Sequence, residues 1–327
     1  MSASQLEMFN KASFLTRLVA SSVRVSEAAG GIIKNVMAGG DLKIVDKSEH
    51  GSGYDPQTEA DHRRAQYCIV QSLQERFKNI KIIGEEEDTT ACPELELGFS
   101  EDVLLTERLI SSELKDIKES DVVVWVDPLD GTSEVALAVK NKNLALLEQV
   151  TVLIGIAYKG RPVAGIIHQP YHSDKGRTVW AIRDCGIHGL TPALQKDKKV
   201  VVTTRSHLSE SVSSALEALK RRNLADSVEK VGGAGFKVLK VLEGCAAYVF
   251  ASAGCKKWDT CAVEAVLSAA GGRLTDISGR EIRYESDVQL NNTGGVLATA
   301  SWVAHQDYIN TIPQDIKNNL PEVASKK

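Results

Sequence analysis

The stretch VVVWVDPLDGT, residues 122 to 132, constrains the fold more than any other part of the chain. A run of five apolar residues predicts a buried strand, and Asp127 and Asp130 follow it at once. Because the two carboxylates are three residues apart at a strand end, both can face one point. Asp, Pro and Gly are all turn formers, so a plain surface turn is the alternative. The buried strand before them favours a site, since ligands of open α/β sheets bind at strand ends.

The rest of the chain divides into two halves that differ in predicted secondary structure. Apolar spacing predicts helices over 12–38 and 58–77, with a shorter helical pattern around Val103 to Leu114. Strands are predicted at 80–84, 122–126, 150–158, 162–167 and 178–182. Beyond residue 193, strands at 200–204, 246–251 and 294–300 alternate with helices at 208–219 and 259–270. We therefore predict an N-terminal α+β domain, 1–192, and a C-terminal α/β domain, 193–327.

Composition excludes several classes of protein. A net charge of −4 argues against binding to a nucleic acid polymer or an anionic membrane. No apolar run approaches the roughly 20 residues that span a bilayer. The opening MSASQLEMFNKASF has no charged-then-apolar leader, and the six cysteines form no CxxC pair. We expect a cytoplasmic protein without a disulfide framework or a soft-metal site.

Three further acidic side chains occupy positions typical of a site, and each also has a plain structural explanation. Glu85 follows a predicted strand in GEEE, where solvated charge is the alternative. Asp259 in KKWDTC can be the N-cap of the helix that it opens. Asp61 in TEAD has capping-box spacing with Thr58.

Taken together, these carboxylates predict a metal site. Two unit charges about 4 Å apart repel by roughly 4 kcal/mol at an effective dielectric near 20, so a cluster needs cations. Hard oxygen ligands favour Mg²⁺, and two such ions can clamp the oxygens of a phosphoryl transfer. Gly131 and Thr132 add N–H groups and a hydroxyl suited to a phosphate. The sequence has no GxSxG, HExxH or Walker motif, and VGGAGFK lacks GxGxxG spacing.

The motifs TEAD, GEE, DPLDGT and WD, in this order, resemble the signature of the inositol monophosphatase-like, lithium-sensitive, Mg²⁺-dependent phosphatases. The resemblance covers roughly residues 12 to 310. It implies an α/β fold, an αβαβα layered sandwich with the active site between an α+β half and an α/β half. It also implies two or three Mg²⁺ ions per site.

The resemblance assigns roles to eleven positions. The implied metal ligands are Glu85, Asp127, Asp130, Asp259 and the backbone carbonyl of Leu129. Thr132 and Asp61 are implied to orient and help deprotonate the attacking water. The implied nucleotide-binding residues are Thr204, His207, Gly233 and Lys237.

Within the family, segments such as TTRSH, VGGAGFK and GCKKWDTCA are most similar to members that cleave nucleotide bisphosphates. This similarity implies hydrolysis of adenosine 3′,5′-bisphosphate to AMP and phosphate, with the sulfated analogue as a related substrate. A small-molecule substrate and a monomer or weak homodimer are expected. A phosphatase of inositol phosphates is the alternative from the same family.

One segment departs from the family pattern. The family usually continues from DGT with a short KEY-like segment, whereas this chain has SEVALAVKNKNLALLEQ at 133–149, with Ser133 in place of the Lys. The longer segment starts beside the predicted metal site. It could move a lid, slow the reaction or disturb a third metal site. A catalytically impaired protein that only binds a nucleotide is therefore the third hypothesis.

Overall fold

The computed structural model describes residues 2–39, 44–46, 56–87, 95–206 and 208–321, and the side chains of 36–39, 44–46 and 56–61 lie outside this description. The helices of the first half are α1 (Ala3–Lys11), α2 (Phe14–Gly39), α3 (Glu59–Arg76), α4 (Glu101–Leu104), α5 (Ser112–Lys115) and α6 (Thr132–Asn141). Its strands are β1 (Ile44–Asp46), β2 (Pro56–Thr58), β3 (Lys81–Gly84), β4 (Val122–Asp130), β5 (Thr151–Tyr158), β6 (Arg161–Gln169), β7 (Arg177–Ile182) and β8 (Gly186–His188).

The second half adds further helices and strands. Its strands are β9 (Val200–Thr204), β10 (Ser227–Val231), β11 (Ala247–Phe250), β12 (Arg273–Thr275) and β13 (Val296–Thr299). Its helices are α7 (Glu210–Arg221), α8 (Ala234–Leu242), α9 (Lys257–Ala269), α10 (His305–Thr311) and α11 (Gln314–Asn319). Among the residues described above, no helix has the length and apolarity that a crossing of a lipid bilayer requires.

A six-stranded sheet forms the first half, in the order β3-β4-β5-β6-β7-β8. Strands β3 and β4 are parallel, and every other neighbouring pair in this sheet is antiparallel. Strand β4 is apolar at successive positions because both faces of the sheet are covered. Val124 and Val126 pack with α2 and α3, whereas Trp125 points into the core on the other face.

The second sheet has five strands, in the order β10-β9-β11-β13-β12. Its strands β10, β9 and β11 are parallel, and β13 pairs antiparallel with both β11 and β12. Helices α8 and α9 lie between the two sheets, and α7 and α10 pack on the far side of the second sheet. The layers therefore run helix, sheet, helix, sheet, helix, which confirms the expected αβαβα sandwich.

Helix α9 approaches the first sheet so closely that only glycine fits beneath it. A Cβ atom added at Gly155 of β5 or at Gly165 of β6 would overlap the backbone of Ala262. These two glycines let a helix backbone rest directly on the sheet. Their position fixes the depth of α9, the helix that carries Asp259.

Several predicted element boundaries differ from the structure. Strand β4 continues to Asp130, with a register shift between Asp127 and Asp130, so the two aspartates belong to a bulged strand end rather than to a turn after the strand. Helix α7 begins at Glu210 with Ser209 as its N-cap, so Leu208 precedes the helix that was predicted to include it. The domain boundary at 192/193 falls between β8 and β9 and stays a prediction.

Candidate active site

One cavity of about 160 Å³ lies where the end of β4 and the first turns of α6, α8 and α9 meet. It brings together the following predicted site residues: Glu85, Asp127, Leu129, Asp130, Thr132, Thr204, Gly233, Lys237 and Asp259. The side chain of Asp61, in the first turn of α3, and the whole of His207 lie outside the described residues.

A larger cavity of about 850 Å³ lies between α2 and the strands β6 to β8. Among the described residues that line it, the carboxylates are Glu27 and Asp102, neither of them buried. Without a set of converging buried carboxylates, this cavity does not match the predicted chemistry. The smaller cavity is therefore the candidate active site.

The bulge at the end of β4 turns both of its aspartates inward. Asp127 and Asp130 are only 2% and 8% exposed. The Oδ1 atom of Asp127 accepts a hydrogen bond of 3.0 Å from the N–H of Leu129, a local bond that a short Asp side chain makes at a bend. The same bend places Leu129 in the cavity lining.

Asp130 joins the two halves of the molecule. Its carboxylate accepts hydrogen bonds from the N–H groups of Ala234 (2.8 Å) and Gly235 (2.7 Å), and from the hydroxyl of Thr151 (2.7 Å). Ala234 and Gly235 open α8, where N–H groups have no partner within the helix and the helix dipole favours an anion. A carboxylate of the first sheet thus caps a helix of the second half.

Asp259 is held at the start of α9, but not in the way the sequence predicts. The helix begins at Lys257, so Asp259 is not its N-cap. Instead Oδ2 of Asp259 accepts a hydrogen bond of 2.7 Å from the backbone N–H of Lys256. The buried Asn292 donates to the carbonyl of Lys256 at 2.9 Å and accepts from the ammonium of Lys257 at 2.6 Å, which fixes this turn.

The acidic groups perturb one another's ionisation. Burial, followed by the charges of Glu85, Asp130 and Asp259, raises the pKa of Asp127 well above its ordinary value. Burial and then Asp130 raise the pKa of Asp259 to about 7. Both shifts show that the ionised cluster is unfavourable by itself, and a bound cation would offset this repulsion.

A mixed nitrogen and oxygen cluster flanks Glu85. His62 of α3 is fully buried, and its Nδ1 atom lies 3.4 Å from Oε1 of Glu86 and 4.0 Å from Oε2 of Glu85. Ligand atoms of these residues all lie within 4.8 Å of one another, close enough to hold a metal ion. His62 is not among the site residues predicted from the sequence, although it directly follows Asp61 of the TEAD motif, a signal that could have marked it.

The cavity is also lined by cationic and aromatic side chains. Lys237 is buried, donates to the carbonyl of Gly233 at 2.9 Å, and has its ammonium 5.4 Å from the ring centre of Tyr248. Burial lowers the pKa of Lys237, while the nearby carboxylates act in the opposite direction. Thr204 lies at the end of β9. The lining also includes residues not predicted from the sequence, among them Glu134, Ser206, Tyr248, Phe250, Lys256 and Trp258.

The segment that departs from the family pattern is an ordered part of this site. Gly131, with a φ of 97°, leads into α6, and residues Leu144–Gln149 form a 3₁₀ turn before β5. Val135 and Ala138 are fully buried in the hydrophobic core. The segment is therefore built into the fold on one side and into the cavity, through Ser133, on the other.

Comparison with curated proteins gives full-length relatives. The human protein named 3′(2′),5′-bisphosphate nucleotidase 1 is 43% identical over 318 residues, covering 94% of this chain and 97% of the human one. A protein of the same name from Dictyostelium discoideum is 34% identical, covering 93% and 98%. The rat protein of that name is also 43% identical, over 321 residues.

Solved structures with the same fold are more distant in sequence. The extragenic suppressor protein suhB from Bartonella henselae has a TM-score of 0.64 at 17% identity, covering 91% of this chain and 98% of its own. CysQ from Bacteroides thetaiotaomicron, described as a bacterial member of the inositol monophosphatase family, has a TM-score of 0.61 at 20% identity, covering 88% and 98%. The model of the inositol monophosphatase family matches residues 15–317. With its sequence matched over residues 15–317 and its fold shared, the chain belongs to the inositol monophosphatase family.

Proposed function

We propose that this protein is a Mg²⁺-dependent phosphatase that hydrolyses adenosine 3′,5′-bisphosphate to AMP and phosphate. One observation carries the proposal: the lining of a single cavity combines a cluster of carboxylates with a lysine and aromatic rings. The carboxylates suit metal ions and a reacting phosphate. The lysine and the rings suit a further phosphate and a flat base. The relatives at 43% identity support the choice of substrate.

The carboxylates of the cavity fit Mg²⁺. All the proposed ligands offer hard oxygen atoms: the side chains of Glu85, Asp127, Asp130 and Asp259, and the carbonyl of Leu129. The raised pKa of Asp127, caused by burial and neighbouring carboxylates, fits a site that needs cations. Bound Mg²⁺ supplies positive charge that stabilises the developing charge on phosphoryl and leaving oxygens.

The chain's own groups have separate tasks in this proposal. The first turn of α6 presents N–H groups and the hydroxyl of Thr132 to the phosphate. The hydroxyl of Thr132 and the carboxylate of Asp61 would orient the attacking water, and the carboxylate of Asp61 would take up its proton. Lys237 meets the phosphate that is not cleaved, and Thr204, His207 and Gly233 contact the nucleoside part.

Further properties follow from the family resemblance. We propose that Li⁺ inhibits the enzyme, that the protein works in the cytoplasm as a monomer or weak homodimer, and that its substrate comes from sulfate assimilation. The sulfated analogue of the bisphosphate is a related substrate. Measuring phosphate release while Li⁺ is titrated at a moderate Mg²⁺ concentration would test the first of these properties.

Phosphate release tests the proposed function directly. Purified protein with Mg²⁺ is given adenosine 3′,5′-bisphosphate or inositol 1-phosphate, and free phosphate is measured over time. We expect fast release from the bisphosphate and slow release from the inositol phosphate. The reverse preference would identify an inositol phosphate phosphatase. Binding of the bisphosphate without release would identify a silent nucleotide-binding protein, with segment 133–149 as the first suspect.

A further inference from the structure

Glu134 is a carboxylate in a cavity that is proposed to receive a phosphorylated, anionic substrate. It lies in the first turn of α6, two residues after Thr132, and is 1% exposed. The family resemblance gives it no role. A negative charge at this place repels an anionic substrate. If Glu134 favours substrate binding, it has to do so through another effect that is larger than this repulsion.

The first contact of Glu134 leads to the end of β9. Its Oε1 atom accepts a hydrogen bond of 3.2 Å from Nη1 of Arg205, and Nη2 of Arg205 donates to the carbonyl of Lys230 at 3.3 Å. Arg205 stands between Thr204 and Ser206, both of which line the cavity. An arginine with hydrogen bonds at both terminal nitrogens, Nη1 and Nη2, restrains the backbone on either side of it.

The second contact leads to the turn before α8. The carboxylate of Glu134 lies so close to Gly232 that a Cβ atom there would overlap it. The N–H of Gly232 donates to Oε1 of Gln149 at 2.7 Å. Segment 133–149 therefore packs at both of its ends against the turn that continues into Gly233 and the first N–H groups of α8. Both contacts of Glu134 cross from the first half of the molecule to the second.

The surrounding charges agree with a structural use of this carboxylate. Burial raises the pKa of Glu134, while the positive charges of Lys237 and Arg205 act in the opposite direction. Glu134 thus stands between a buried cation inside the cavity and a partly exposed one at its edge.

We propose that Glu134 is a positioning residue that holds the proposed nucleotide-binding residues in place. Through Arg205 and the backbone of Gly232, it holds segment 204–206 and the turn before α8 against the catalytic end of β4. This inference rests on the proposed function. A purely electrostatic role of Glu134 predicts the opposite change of KM. Neutralising a background charge would lower KM for an anionic substrate, whereas losing a positioning residue raises KM.

The test compares two buried glutamates that pair with arginine across the halves. Glu264 of α9 is 3% exposed and accepts from Arg161 at 3.0 Å, but it lines a different cavity. We compare Glu134→Gln with Glu264→Gln in kcat and KM for adenosine 3′,5′-bisphosphate, and monitor folding by Tm. For Glu134→Gln we expect KM to rise about tenfold with kcat within about threefold, the pattern of a lost ground-state contribution. For Glu264→Gln we expect both constants to stay within about twofold.

A double-mutant cycle tests the route through Arg205. If part of the effect of Glu134 passes through Arg205, then Glu134→Gln with Arg205→Gln raises KM by less than the product of the two single rises. An additive double variant would overturn that route. Because the side chain of Arg205 is 29% exposed, Arg205→Gln should fold, and it keeps the test available if Glu134→Gln does not.

The remaining outcomes separate a failure of this inference from a failure of the proposed function on which it rests. Wild-type protein that does not release phosphate from the bisphosphate overturns the proposed function, and the inference with it. Active wild-type protein with a lowered or unchanged KM in Glu134→Gln overturns the inference alone. An equal rise of KM in both glutamate variants does the same, because it would assign the effect to general contact between the halves.

Discussion

At the scale of single residues, sequence reasoning selects chemical groups but not the contacts that hold them. The acidic residues could be chosen because each follows a strand or opens a helix. The hydrogen bonds that fix the turn around Asp259 could not be predicted from the sequence, because Lys257 and Asn292 are 35 residues apart and no spacing rule joins them. Glu134 and Arg205 are separated by 71 residues, and their pairing likewise arises only when the two halves meet.

The Asp127→Asn variant should lose turnover by at least about a hundredfold while remaining folded, because a neutral amide is a poor ligand for Mg²⁺. Without Mg²⁺ its Tm should rise, since the raised pKa of Asp127 shows that its buried charge is unfavourable. Initial rates and thermal melts check both statements. The exposed Asp102 provides a control, Asp102→Asn. Turnover of Asp127→Asn within about tenfold of the parent would contradict the metal role.

The buried His168 should make the protein sensitive to acid. Burial, followed by the charge of Lys34, lowers its pKa to about 4. Because the unfolded chain binds this proton at an ordinary pKa near 6.5, the unfolded state binds more protons between pH 6.5 and 4. Stability is therefore lost as the pH falls through this window, by an amount on the order of 2–3 kcal/mol.

Urea denaturation across pH checks the role of His168. The His168→Gln variant should show a flatter loss of unfolding free energy between about pH 6.5 and 4 than the parent. Parallel curves for the two proteins would assign the acid sensitivity to other groups. His305, whose pKa is also lowered to about 4 by burial, remains in both proteins and gives a common background.

At the scale of helices and strands, periodicity predicts long elements well and short ones poorly. The helix predicted over 12–38 is found at Phe14–Gly39. The helical pattern around Val103 to Leu114 is instead broken into α4, a 3₁₀ turn and α5. Thr106 gives a physical reason, because its hydroxyl donates to the carbonyl of Val103 at 2.7 Å just after α4 ends. Such a side-chain bond competes with continued helix.

Two glycine variants should change stability in opposite directions. Gly165→Ala would overlap the Ala262 carbonyl, so α9 has to move away from the sheet, at a cost of about 1–3 kcal/mol or more. Gly31 lies inside α2, and among the described residues no atom beyond its chain neighbours and the nearby backbone of its own helix is within 4 Å of an added Cβ. Gly31→Ala should therefore stabilise by about 0.5–1 kcal/mol. Urea midpoints measure both. A neutral Gly165→Ala would show that α9 is free to shift.

At the scale of the whole molecule, the fold class and the family predicted from the motifs are confirmed. The motifs suffice for this because they recur in order over nearly the whole chain. The site roles stay predictions, although the structure gathers most of these residues in one cavity. Their convergence depends on α9 and the end of β4 being brought together by two sheets, which local patterns do not encode.

Mg²⁺ should stabilise the whole molecule as well as support turnover. A ligand that binds only the folded state adds about 2.7 kcal/mol at a concentration of about 100 Kd. We therefore expect Tm to rise when Mg²⁺ replaces a chelator, and to rise much less in Asp127→Asn. Differential scanning calorimetry provides the measurement. Equal melting temperatures with Mg²⁺ and with chelator in the parent protein would contradict a site in this cluster.

The burial of α9 also determines how the molecule exchanges its amide hydrogens with solvent. Nearly every residue from Lys257 to Leu267 is buried, with a sheet on each side. The amide hydrogens of such a helix exchange only when the whole molecule unfolds. Because Asp259 is in the first turn, a ligand at the site should slow deuterium uptake along the full length of α9. The deuterium content of this one helix would then follow the free energy of global unfolding.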